Sequence, residues 1–140
     1  MPLAKNKIIV FIPTRDAKRA RKFYEKTLGL RFVSDDKFAL VFDANGTMLR
    51  VTPVGDFSPF PFTVLGWKVT DIESTSKKLA AKKVRFERYD FLQQNRQGIW
   101  DSPDGARVAW FKDPDGNLLS ISQHEEIRGR GQRNASSGGK

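Results

Sequence analysis

At 140 residues the chain fits one domain, or two small modules sharing a core, and can bury that core without covalent staples. It contains no cysteine, which excludes disulfides, thiolate nucleophiles and thiolate metal sites and fits a reducing cytoplasm. A net charge of +9 raises nucleic acid as a partner.

The charge pattern argues against that partner. The densest basic runs, 15–26 and 77–83, interleave their charges with apolar residues at helical spacing and read as solvated faces of two amphipathic helices. Residues 1–16 hold an apolar run too short for a bilayer and lack the layout of a signal peptide. A cytoplasmic protein with no membrane partner is expected.

In chain order, KIIVFIPTRD (7–16) reads as a strand running into a helix-capping aspartate, Asp16. The next stretch places Ala20, Phe23, Tyr24, Thr27 and Leu28 on one helical face, and Gly29 stops the helix as a glycine C-cap. A short strand at 30–35 leads to a hairpin, FALVFDANGTMLRVTP, that turns at Asn45-Gly46. PVGDFSPFPF (53–62) then links two modules and carries Phe57, Phe60 and Phe62 among prolines.

The second half repeats the first. FTVLGWKVTD (62–71) is a strand ending in a capping Asp71, and the helix after it aligns Ile72, Thr75, Leu79 and Ala80. A strand is expected at 84–90, then a hairpin turning at Asp115-Gly116. The tail from 125 to 140 has almost no apolar content and is expected to be disordered; its Asn134 sequon carries no weight without an export signal. The chain is thus a single α+β domain over 1–124, with βαβββ modules at about 7–54 and 62–123. The two modules should form a half-open, eight-stranded, barrel-like cleft with helices outside.

Strand alternation decides what the cleft sees. Positions 8, 10 and 12, and 65, 67 and 69, are apolar and suited to the helices. The opposite face should then carry Ile9, Phe11 and Pro13; Met48, Arg50 and Thr52; Val64, Gly66 and Lys68; and Ser120. An inward arginine needs an anion, so Arg50 either grips an anionic ligand or is neutralised by an internal carboxylate. Trp100, Trp110 and the linker phenylalanines either stack on a planar ligand or pack a seam between modules or copies.

The ordered set Asp16…Phe23-Tyr24…Leu28-Gly29-Leu30, followed by Val69-Thr70-Asp71 and Phe111-Lys-Asp-Pro-Asp-Gly-Asn117, resembles the vicinal oxygen chelate superfamily over roughly residues 7–124. That superfamily groups glyoxalase I, bleomycin-resistance proteins and extradiol dioxygenases. The resemblance implies a His, Gln or Glu metal ligand seven residues before each helix-start aspartate. It also implies a second ligand, usually Glu, four residues after each hairpin glycine. Those positions here are Ile9, Val64, Arg50 and Ser120, none a credible donor set for a divalent ion. No metal and no cofactor are therefore expected, and the single histidine, His124, cannot rebuild such a site. The resemblance further implies a homodimer.

No catalytic residue can be named. Asp101 and Asp104 suit turn chemistry, Tyr24 looks buried, and Tyr89 could in principle donate a proton. The expected function is a metal-independent protein resembling bleomycin-resistance proteins in scaffold. It would bind a small aromatic or anionic molecule through Phe11, Met48, Arg50, Val64, Lys68, Trp100, Trp110 and Ser120. The alternatives are a lyase, isomerase or dioxygenase-like enzyme of the same superfamily with an atypical metal site, and a nucleic-acid-associated basic protein.

Overall fold

Two aspartates start the two helices. Asp16 Oδ1 accepts the Arg19 N–H at 3.1 Å, and Asp71 Oδ1 accepts the Ser74 N–H at 3.1 Å, each satisfying a donor that the helix itself leaves unpaired. The computed structural model describes residues 2–125, so nearly all of the predicted tail, with its sequon, lies outside the described residues. Helix α1 (Ala17–Lys22) widens into a π-type turn over Phe23–Thr27. It ends at Gly29, whose φ of 79° permits Leu30 N–H to reach back to the Tyr24 carbonyl. Helix α2 spans Ile72–Ala81.

Each helix belongs to a four-stranded sheet. Strands β1 (Ile9–Thr14), β2 (Arg31–Asp35), β3 (Leu40–Ala44) and β4 (Thr47–Pro53) pair in the order β1-β4-β3-β2. Strands β5 (Leu65–Lys68), β6 (Trp100–Asp101), β7 (Arg107–Lys112) and β8 (Leu118–Gln123) repeat it as β5-β8-β7-β6. In both sheets the first strand runs parallel to the last and the other pairs are antiparallel. The fold is α+β, as the duplicated pattern predicts, and the two sheets do not close. Asn45 and Gly46 both adopt positive φ, 52° and 95°, the geometry of the tight hairpin turn expected there. Among the described residues no helix is long and apolar enough to cross a membrane.

One predicted strand is corrected. Residues 84–90 do not form a continuous strand; they touch β7 through a bridge between Phe86 and Phe111 and a bond from Glu87 N–H to the Trp110 carbonyl. The chain then leaves the sheet and returns as β6, where Trp100 stands opposite Val108. Gln94 makes the detour self-sufficient. Its side chain accepts from Tyr89 N–H and donates to the Glu87 and Gly98 carbonyls, giving backbone groups the partners that β7 would have supplied.

The apolar core runs through both modules. Ile12, Tyr24, Phe42 and Leu49 of the first join Ile72, Phe111, Leu119 and Ile121 of the second in one buried cluster. A buried polar clamp closes it. Tyr24 Oη donates to Asp113 Oδ2 at 2.7 Å, and Asp113 also accepts the Asn117 and Asp115 N–H groups and Asn117 Nδ2. Beside it Asp115 accepts from Thr14 Oγ1 at 2.5 Å and from Arg15 N–H at 2.9 Å, and Asn117 Nδ2 also donates to the Pro13 carbonyl. The Asp-Pro-Asp-Gly-Asn turn of the second module is thereby fastened to β1 and α1 of the first.

Burial raises the Asp113 carboxyl above its ordinary value despite these donors, and burial followed by the Asp113 charge raises the Tyr24 phenol. Removing the phenol with Tyr24→Phe should cost about 1–3 kcal/mol, read as a lower denaturant midpoint. Asp113→Asn should cost as much, because its new amide would face Asn117 Nδ2, donor against donor. A raised carboxyl stabilises the fold below the unfolded pKa and loses that contribution as pH rises through the folded one. The stability gap between the parent and Asp113→Asn should accordingly be wider near pH 4 than near pH 7, and a gap that narrows on acidification would contradict the assignment.

Candidate functional site

The pleat delivers most of the predicted site residues to the sheet faces turned away from the core. On the first sheet, Ile9 stands opposite Met48, Phe11 opposite Arg50, and Pro13 opposite Thr52. Phe11 is 62% exposed, Ile9 48% and Met48 41%, while Ile12, Leu49 and Val51 between them are buried. Arg50 Nη2 lies 2.9 Å from Asp36 Oδ2, so of the two fates open to Arg50 an internal carboxylate takes at least one of its nitrogens. The Phe38 N–H, followed by Arg50, holds the Asp36 carboxyl below its usual range.

The second sheet gathers the remainder. Trp110 stands opposite Ser120 on β8, which in turn stands opposite Gly66 on β5; Lys68 stands opposite Ser122. Trp100 on β6 adjoins Trp110 with ring centroids 6.0 Å apart. Tyr89 meets Trp110 edge-on at 5.6 Å and 86°. Burial, followed by the Glu87 charge, raises the Tyr89 phenol above its ordinary value. At one end of this face the linker folds over Leu118, Lys112 and Tyr89, leaving a groove of about 400 Å³ behind Pro59, Phe60 and Pro61. A hollow of about 640 Å³ lies between the 88–95 loop and Asp101, and none of the eight predicted ligand-binding residues lines it.

Val64 differs from its companions, being half-buried against the core. Its N–H donates to the Leu118 carbonyl just ahead of β5. The first-sheet set (Phe11, Met48, Arg50) and the second-sheet set (Lys68, Trp100, Trp110, Ser120) form two separate groups. No hydrogen bond, ion pair or ring contact joins them among the described residues. Alternation puts Ser122 on the face of Ser120, but sequence reasoning missed it as a binding residue and missed its contact with His124, Oγ to Nε2 at 2.9 Å. Asp36 sits in a loop and gave no periodic signal. Asp104 accepts from Ser102 Oγ and Ala106 N–H, the turn chemistry expected of it, whereas Asp101 stands on β6 and makes a cross-strand ion pair with Arg107 instead of serving the turn.

The metal positions that the resemblance implies can now be tested by their donors. Two aliphatic side chains, a guanidinium already paired with Asp36, and one hydroxyl do not fit a divalent cation. Among the described residues no group of three or more His, Cys, Asp or Glu side chains is placed to hold one.

A family model described as the Glyoxalase/Bleomycin resistance protein/Dioxygenase superfamily matches residues 8–121. Solved structures of the same fold include a glyoxalase/bleomycin resistance protein/dioxygenase from Alicyclobacillus acidocaldarius, with TM-score 0.66 and 20% identity over 90% of this chain and 96% of that one. TnmS3, an antibiotic-binding protein from Streptomyces sp. CB03234, gives TM-score 0.68 and 22% identity over 88% and 98%. A lactoylglutathione lyase from Agrobacterium tumefaciens gives 0.65 and 16% over 86% and 95%. A search of the curated proteins gives no significant match.

The facing of β5 and β8 has a direct test. A Cβ on Gly66 would lie 2.7 Å from Ser120 Oγ but 4.0 Å from Ser120 Cβ. Gly66→Ala should therefore destabilise the protein by about 1 kcal/mol through overpacking. In a Ser120→Ala background the same change should become neutral or stabilising, since glycine in a strand carries an entropic cost. Thermal unfolding of the double-mutant cycle measures this, and additive effects would overturn the facing.

Proposed function

The chain belongs to the glyoxalase/bleomycin resistance protein/dioxygenase superfamily, and from that premise we propose that it is a metal-independent, cytoplasmic binding protein for a small aromatic or anionic molecule. The observation that carries this reading is the ring cluster on the open face of the second sheet. Trp100 and Tyr89 flank Trp110, and Trp110 stands opposite Ser120, where the resemblance would put a metal-binding carboxylate. Half-buried indoles beside hydroxyls give a planar ligand apolar contact area with polar groups to orient it. That a protein of the same fold is an antibiotic-binding protein is in keeping with this use of the scaffold.

The reading extends to a homodimer. Strands β1 and β5 are edge strands, and the apolar face of Ile9, Phe11 and Met48 beside β1 has no cover in the single chain. A second copy covering that face would add Phe11, Met48 and Arg50 to the walls of the cleft.

Three measurements check the proposal. Tryptophan fluorescence and thermal shift over a panel of planar aromatic compounds should find binders, and Trp110→Ala should weaken them about ten-fold. Elemental analysis of protein purified without chelators should find no stoichiometric zinc, nickel, manganese or iron; finding one would sink the metal-independent reading. Sedimentation should show a dimer that Phe11→Asp converts to a folded monomer, and a parent chain that sediments as a monomer would refute the pairing.

A further inference from the structure

Of the cations on the two cleft faces, most are already neutralised. Arg50 is paired with Asp36, and Lys112 lies 3.9 Å from Glu87. Lys68 differs: among the described residues no carboxylate lies within ion-pair distance of it. It projects from the exposed face of β5, beside Ser122. Ser122 Oγ is in turn hydrogen-bonded with His124 Nε2. Gly66, next on the same face, has no side chain to block the approach to Ser120.

Across the strands the face therefore changes character in one direction. Rings stand on β6 and β7, hydroxyls on β8, and the Lys68 ammonium on β5. From β7 to β5 is two strand spacings, roughly 10 Å, about the length of an aromatic ring system bearing an acid on a short spacer. Asp104, hydrogen-bonded by Ser102 Oγ and Ala106 N–H, and Glu125, beside Gly105, are the carboxylates near His124, and neither lies within ion-pair distance of Lys68.

We propose that the ligand is a small aryl acid, its ring on Trp110 and Trp100 and its anionic group received by Lys68 and Ser122, with His124 positioning the Ser122 hydroxyl. The inference rests on the small-molecule reading above and sharpens it: the ligand is aromatic and anionic together, and Lys68 rather than Arg50 supplies the charge. Because Lys68 is exposed, its contribution is modest and screened by salt.

The test compares naphthalene-1-acetate with its neutral amide by calorimetry on the full chain. The acid should bind about five-fold tighter, and the preference should shrink with added salt. Lys68→Met should abolish the preference, bringing the affinity for the acid down to that for the amide, whereas Arg50→Met should preserve it. Equal binding of acid and amide, with both lost in Trp110→Ala, would overturn the anionic subsite and leave the aromatic cleft standing. A preference that survives Lys68→Met or disappears in Arg50→Met would also overturn it. Failure of both compounds to bind would overturn the inference together with the reading beneath it.

Discussion

The hydrogen bond from Tyr24 to Asp113 is the contact on which the arrangement of the two modules turns. Both groups are buried, so neither can exchange its partner for water without a cost of about 1–3 kcal/mol. Asp113 also organises its own turn by accepting two backbone N–H groups and the Asn117 amide. With Thr14 on Asp115, it locks the tip of the β7–β8 hairpin to the end of β1. Those two strands carry Trp110, Ser120 and Ser122. A slip of one residue in β8 would send Leu119 and Ile121 to solvent and the serines into the core, and the clamp admits one register.

With the core faces committed to apolar packing, the opposite faces are free to differ, and they do. The first sheet presents Ile9, Phe11 and Met48 with a neutralised arginine; the second presents indoles, hydroxyls and an ammonium with no ion-pair partner among the described residues. This bears on the metal question through charge as well as through donors. A metal site gathers carboxylates or imidazoles that offset the ion's own charge. Here the corresponding positions supply two aliphatic side chains, one hydroxyl and a guanidinium whose charge Asp36 already offsets, so nothing is left to offset the charge of a divalent ion.

Much of this was legible in the sequence because the governing rules are local. The capping aspartates, the Asn45-Gly46 turn, Gly29 and the period-2 alternation each depend on residues a few positions apart, and each appears where the sequence puts it. The duplication multiplied the signal, since each module checks the other. What escaped detection depends on distant or irregular partners. Nothing in the spacing of Asp36 ties it to Arg50, and Val64 sits just ahead of its strand, where alternation has weakened. The broken strand at 84–90 escaped for a similar reason, because its backbone is satisfied by the amide of Gln94 in a stretch with no periodicity.

That break also explains the aromatic wall. Continued without interruption from the Phe86–Phe111 bridge, the edge strand would have set Tyr89 opposite Val108. The detour instead hands that rung to Trp100 and leaves Tyr89 outside the ladder, its N–H held by Gln94 and its ring turned edge-on to Trp110. One rung thus contributes two rings to the surroundings of Trp110, where a regular strand would have contributed one. A segment that looks like a defect in the repeat is what separates this module from its twin. It gives the second face a cluster of three rings that the first sheet lacks, where the β2 edge strand stays on β3 through a single irregularity at Val33.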